Sequence, residues 1–139
     1  MWLCPAEGAA TIQTMGLDNL TQWMMDEHTD PDIQHTILTC LTQHFNHLPL
    51  TPIAMHLECL QNALHSQDAL GWDNFFEGCM VIDWERAQDV YYHWCHSKKS
   101  GRRWTTALIQ KLWDIAWDLW EHWIRIVHSL ENVCMVCQR

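Results

Sequence analysis

Three groups of side chains in this 139-residue chain have residue types and spacings suited to chemistry. Asp114, Asp118 and His122 recur at i, i+4 and i+8, with Glu121 beside them. On a helix such residues share one face, where they could ligate a divalent cation or supply paired carboxylates for acid–base work. The solvent side of an amphipathic helix carries the same kind of row. No second carboxylate-rich element accompanies it, so the plainer reading is favoured. Cys134 and Cys137 form a C-x-x-C pair. One pair supplies two ligands where a structural zinc needs four, and nothing in the sequence places His93, Cys95 and His96 nearby to complete the set. A redox pair would open a helix beside a βαβ unit, which the sequence lacks, so two free thiols near the end of the chain are favoured. Seven cysteines and ten histidines make any single Cys–His pairing uninformative, and Cys40 and Cys59 read as small buried thiols. The expectation is no catalytic residue, no cofactor and no metal ligand.

The third group is basic. Lys98, Lys99, Arg102 and Arg103 are half of the eight Lys and Arg, and Tyr91, Tyr92, Trp94 and Trp104 flank them. Cations that neutralise phosphates beside aromatic faces that stack on bases are what nucleic-acid binding uses. A solvated loop between two helices, with its tryptophans in the core, is the competing reading, and the charge of the rest of the chain favours it. Residues 1–85 hold no Lys or Arg and twelve acidic residues, while residues 86–139 hold all eight basic residues against five acidic ones. The net charge is −9, so any nucleic-acid contact falls to the C-terminal part.

The elements that must position these groups are helical. Ile12, Met15, Leu20, Trp23 and Met24 pattern a helix over about 11–27, in which Gly16 is a weak point. Asp30-Pro31 is a cap-then-proline start for a second helix carrying Ile33, Ile37, Leu38, Leu41 and Phe45. Thr51-Pro52 repeats the device for a third, with Ile53, Leu57, Leu60 and Leu64. A short apolar segment at 69–76 sits near Gly71 and Gly78. A fourth helix over about 82–96 puts Trp84, Ala87, Tyr91 and Trp94 on one face, and residues 97–103 read as a polar loop. The fifth, over about 104–131, has the strongest pattern: Leu108, Leu112, Ile115, Leu119, Trp123, Ile126 and Leu130 opposite Lys111, Asp114, Asp118, Glu121 and Arg125. The sequence therefore predicts an all-α fold, about five helices packed around a long Trp-rich C-terminal helix. It reads as a single domain over 1–139, with 1–10 and 132–139 as loose tails. Charges interrupt the most apolar run, Leu112 to Ile126, which excludes a membrane span there. Scattered cysteines without a secretory signal point to an intracellular protein with reduced thiols, its compartment open.

The segment Gly71-Trp72-Asp73-Asn74-Phe75-Phe76-Glu77-Gly78, then Trp84, Ala87-Gln88-Asp89 and Tyr91-Tyr92, is distinctive. So is Ser100-Gly101-Arg102-Arg103-Trp104 through Leu112-Trp113-Asp114-Ile115-Ala116-Trp117-Asp118-Leu119-Trp120-Glu121-His122. Together they resemble the C-terminal region of reverse-transcriptase-like open reading frames from retroelements of microbial eukaryotes. The resemblance is good over about 70–130 and looser over 4–69. In that family a Cys/His knuckle ending in Cys-Pro precedes the helical region. Cys4-Pro5 looks like that last step, which implies a ligand separated from its partners. The family continues after Trp-Glu-His with Arg-Asn, where this chain has Trp123-Ile124. The paired aspartates of polymerases are not in this chain, so the resemblance implies a mobile-element context without polymerase activity.

Composition, pattern and resemblance converge on a non-catalytic helical module, structural or protein-interacting, that is not an enzyme. The alternative is a nucleic-acid-binding accessory module using the basic loop 98–103. The partners expected are a protein, and a nucleic acid held weakly through Lys98, Lys99, Arg102 and Arg103.

Overall fold

A computed structural model describes residues 8–46 and 58–137, with side chains described over 8–46 and 60–131. Among the described residues there are six helices and no strand. They are α1 (Ala9–Asp26), α2 (Pro31–Phe45), α3 (Glu58–Leu70), α4 (Trp72–Phe76), α5 (Ile82–Trp94) and α6 (Gly101–Cys137). The packing runs in a chain of neighbours: α2 lies on α1, α1 on α6, α6 on α5 and α5 on α3, with the short α4 against α3. The all-α reading around a long C-terminal helix holds. The opening of the expected third helix at Thr51-Pro52 lies outside the described residues.

Apolar spacing builds the core. On α6, Trp104, Leu108, Leu112, Ile115 and Leu119 follow one another by three or four and are buried. They meet Leu20 and Met24 of α1 and Trp84, Ala87 and Tyr92 of α5 in one cluster that also takes in Ile33, Ile37 and Leu41 of α2 and Leu60 and Ala63 of α3. The segment 72–76, weakly patterned in the sequence, is a plug of aromatic rings. Trp72, Phe75, Phe76 and Trp84 stack tilted or edge-on, with centroids 5.0–6.0 Å apart, the arrangement that ring quadrupoles prefer. Cys40 is buried, and burial pushes its thiol up to about 12, so it packs as a small apolar group.

Local signals set the helix ends. Asp30 caps α2 by accepting from Asp32 N at 2.9 Å, and Pro31 takes the first helical position. Burial raises the Asp30 carboxyl above its ordinary range, and the Asp32 N–H offsets part of that rise. Three helices end in the same doubly hydrogen-bonded left-handed turn. It is closed by Thr29 N donating to Met24 O, Cys79 N to Asn74 O and Ser97 N to Tyr92 O. The left-handed residue is Gly78 in α4, but histidine in the other two, His28 and His96, each at φ 55°.

Several expectations need correction. Residues 101–103 are not loop; they form the first turn of α6. Trp94 does not face the core and is 83% exposed, while Tyr92 is buried in its place. The buried face of α5 is Trp84, Ala87, Gln88 and Tyr92, and a polar residue at its centre disguised it in the sequence. Gly16 is not merely a weak point, because a Cβ there would lie 2.9 Å from Ile115 Cγ2; its bareness is what lets α1 sit on α6. Trp123 and Leu130, expected in the core stripe, are exposed. The cause is length: the 37 residues of α6 span about 55 Å, against about 27 Å for the 18 residues of α1. Among the described side chains of α6, Leu119 is the last that is buried.

Two buried glutamines tie the junctions together. Gln88 accepts from Asp30 N at 3.0 Å and donates to His28 O at 3.2 Å, fastening the α1–α2 turn to α5. Gln67 accepts from Val81 N and Trp84 Nε1 at 3.2 and 3.1 Å and donates to Gly71 O at 3.2 Å. Replacing Gln88 by Leu strands the buried Asp30 N–H and the part-buried His28 C=O. The expected loss is about 1–3 kcal/mol for each group left unpaired. It would be read as a lower urea midpoint at unchanged m, and a change within the surface range of about ±0.5 kcal/mol would show the turn does not depend on it.

Candidate functional site

Two surfaces hold the candidate residues. The first is the basic segment between α5 and α6. Here α6 begins against α5 so closely that a Cβ on Gly101 would meet the Glu85 backbone carbonyl oxygen at 2.3 Å. Glycine is required by that approach. The first turn is doubly capped: Ser100 Oγ accepts from Arg103 N at 3.2 Å, and the Asp89 carboxylate, reaching across from α5, accepts from Gly101 N. The positive end of the α6 dipole is thus already met by a carboxylate.

Lys98, Lys99, Arg102 and Arg103 are all exposed at this end of the molecule. Lys99 Nζ lies 3.5 Å from Glu27 Oε2, a half-open ion pair of the kind that contributes little to stability. A shallow depression of about 430 Å³ is lined by Ser100, Arg102, Arg103, Thr106, Ala107 and Gln110. The flanking aromatics divide. Tyr92 donates its hydroxyl to Glu27 O at 2.7 Å and Trp104 its Nε1–H to Thr29 Oγ1 at 2.8 Å; both are buried and hold the α1–α2 turn. Tyr91 is half-buried, so Trp94 is the flanking ring most open to stacking.

The second surface is a groove along the α1–α6 seam. A volume of about 560 Å³ has Leu20 and Ile115 at its floor, Trp23 and Trp117 on its walls, and Asp26, Asp114, Asp118 and Lys111 on its rim. It adjoins a shallower depression of about 250 Å³ lined in part by Met15, Glu121, His122 and Arg125. The carboxylate row of the sequence therefore lies along a groove. Among the described residues, no three His, Cys, Asp or Glu side chains stand close enough together to hold a metal ion. Trp117 and Trp120 pack ring to ring at 5.1 Å, and Trp113 donates to Glu77 O at 2.9 Å. Burial and spacing on α6 alone could not reveal the α1 wall, Asn19, Trp23 and Asp26; the one local hint was an isolated glycine inside a helix.

Cys134 and Cys137 lie on the last turns of α6, which continues past the expected end at Glu131. Their side chains, that of Cys59, and the Cys4-Pro5 step lie outside the described residues. No described helix is long and apolar enough to cross a membrane.

Adding a methyl at Gly101 should force α6 off α5. Gly101→Ala is expected to cost about 1–3 kcal/mol, the usual range for overpacking, measured by urea denaturation. A neutral result would mean the two helices do not meet this closely.

No family model matches the chain, and no curated protein or solved structure matches it either.

Proposed function

We propose that this chain is a non-catalytic helical interaction module that binds a basic amphipathic helix of a protein partner along α6. The observation that carries this reading is the uncovered aromatic side of that helix. Trp113, Trp117, Trp123 and Leu130 are exposed, with half-buried Trp120, Ile124 and Val127 among them. Contiguous apolar surface rimmed by charge marks interaction sites, and tryptophan is the residue type that most often dominates them. The partner's charge follows from this chain's own: a net −9, with Asp114, Asp118 and Glu121 beside the tryptophans. A basic helix is attracted and an acidic one repelled. The resemblance to the helical region of retroelement proteins is compatible with a module that serves a larger assembly.

A second reading rests on Lys98, Arg102 and Arg103, which are exposed beside Trp94. It makes the chain a weak nucleic-acid accessory module. Three phosphate contacts would give a slope of log affinity against log salt of about −2.7 on duplex DNA.

One titration separates the two. The probes are a synthetic amphipathic helix with Leu on one face and Arg and Lys on the other, its Glu counterpart, and a DNA duplex at low salt. The basic peptide is expected to bind and the acidic one not to. Trp123→Ser with Leu130→Ser should weaken binding by about tenfold, the loss of one or two apolar anchors, with the helical circular dichroism unchanged. Equal binding of both peptides, or none, overturns the first reading. Duplex binding lost on replacing Lys98, Lys99, Arg102 and Arg103 with Gln would establish the second.

A further inference from the structure

Resting on the interaction-module reading, we propose that the α1–α6 groove is the seat for an arginine side chain of the partner helix. The groove offers what a guanidinium needs. Its walls are two indoles, Trp23 half-buried on α1 and Trp117, 57% exposed, on α6, and cations over indole faces are attracted by the ring quadrupole. Its rim carries Asp26, Asp114 and Asp118, all exposed. Asp26 is held in position by Gln22 Nε2, which donates to its Oδ1 at 2.9 Å.

The charge balance selects the occupant. Across the groove and its shallower extension, four carboxylates (Asp26, Asp114, Asp118 and Glu121) stand against Lys111 and Arg125. An anion would meet that excess directly, and a neutral apolar side chain would desolvate carboxylates without partnering them. Arginine fits better than lysine. A planar guanidinium stacks against indole and presents paired donors to carboxylates, whereas an ammonium is a compact and strongly hydrated charge.

The test uses the full chain and three amphipathic peptides that differ only in their polar face: arginine, lysine or glutamine. Calorimetric titration is expected to rank them arginine, lysine, glutamine. Asp114→Asn with Asp118→Asn should weaken the arginine peptide by about tenfold or more, the loss expected when charge-assisted contacts are removed, and compress the gap between the arginine and glutamine peptides. Trp117→Leu trims the shared apolar surface and the groove wall together, so it should lower arginine-peptide affinity by a larger factor than glutamine-peptide affinity. If the asparagine variant binds the arginine peptide as tightly as the parent, or if lysine equals arginine, the seat is not this groove. Should that happen while Trp123→Ser with Leu130→Ser still weakens binding by about tenfold, the interaction-module reading survives and the groove falls. Should no peptide bind at all, both fall. Sedimentation showing that the parent chain dimerises, with the asparagine variant monomeric, would make a second copy the occupant and overturn the proposal.

Discussion

The backbone between α1 and α2 turns at the surface at His28 and enters the interior at Thr29 and Asp30, and side chains from elsewhere satisfy its polar groups. Glu27 O, His28 O and Asp30 N are bound by Tyr92 and Gln88, and the Thr29 hydroxyl by Trp104, from two helices more than fifty residues away in sequence. A buried N–H or C=O without a partner costs as much as several apolar contacts gain. The turn can therefore be buried only if α5 and α6 present those donors and acceptors in register. Once they do, the relative placement of α1, α5 and α6 is fixed, and the leucines and isoleucines between them have a defined space to fill. Gln67 does the same for the corner where α3, α4 and α5 meet, receiving Val81 N and Trp84 Nε1 and donating to Gly71 O.

The long helix then has two lives. Its first half is a core element, closed at the start by Ser100 and Asp89 and buried through Leu119. Its second half meets the start of α1 at His122, runs on beyond it, and over the described side chains keeps an apolar, tryptophan-bearing side. A purely structural strut could carry polar residues at those positions. Trp123 and Leu130 stand in the open in a chain with a marked acidic excess, and they are the residues that the proposed partner helix would cover.

Features set by local chemistry were legible in the sequence. Asp30-Pro31 begins α2 as expected because a cap and a proline act on their own neighbours. The α6 stripe from Leu108 to Leu119 was legible because a buried helix face repeats at a fixed interval. What was not legible depended on tertiary contact. Gln88 is polar and so counted against the buried face of α5 until its two backbone partners were seen. Gly101 looked like a loop residue because glycine does break helices; here it marks a close approach that only the packed pair reveals. The basic cluster was visible as a run of residues, but the sequence put Arg102 and Arg103 in a loop and could not show that Tyr92 and Trp104 are committed to the core or that Lys99 leans on Glu27. The carboxylate row on α6 was visible, whereas the opposing wall on α1 lies about ninety residues away and has no local signature.

The left-handed turns that close α1, α4 and α5 carry a consequence for how far this sequence can drift. Residues 28, 78 and 96 need backbone angles that glycine adopts freely, that asparagine and histidine tolerate, and that β-branched residues resist. Residues 16 and 101 have ordinary angles but no room for a side chain. Together these five positions form a sieve whose mesh is set by torsion and clearance. A chain that had lost every recognisable stretch of the present sequence could keep the fold while still passing it, with glycine, asparagine or histidine at residues 28 and 96 and glycine at residues 16, 78 and 101, since a Cβ at 78 would lie 2.6 Å from Trp113 Nε1. Ancestry for this protein is better sought in that sparse pattern of permitted residues than in overall likeness.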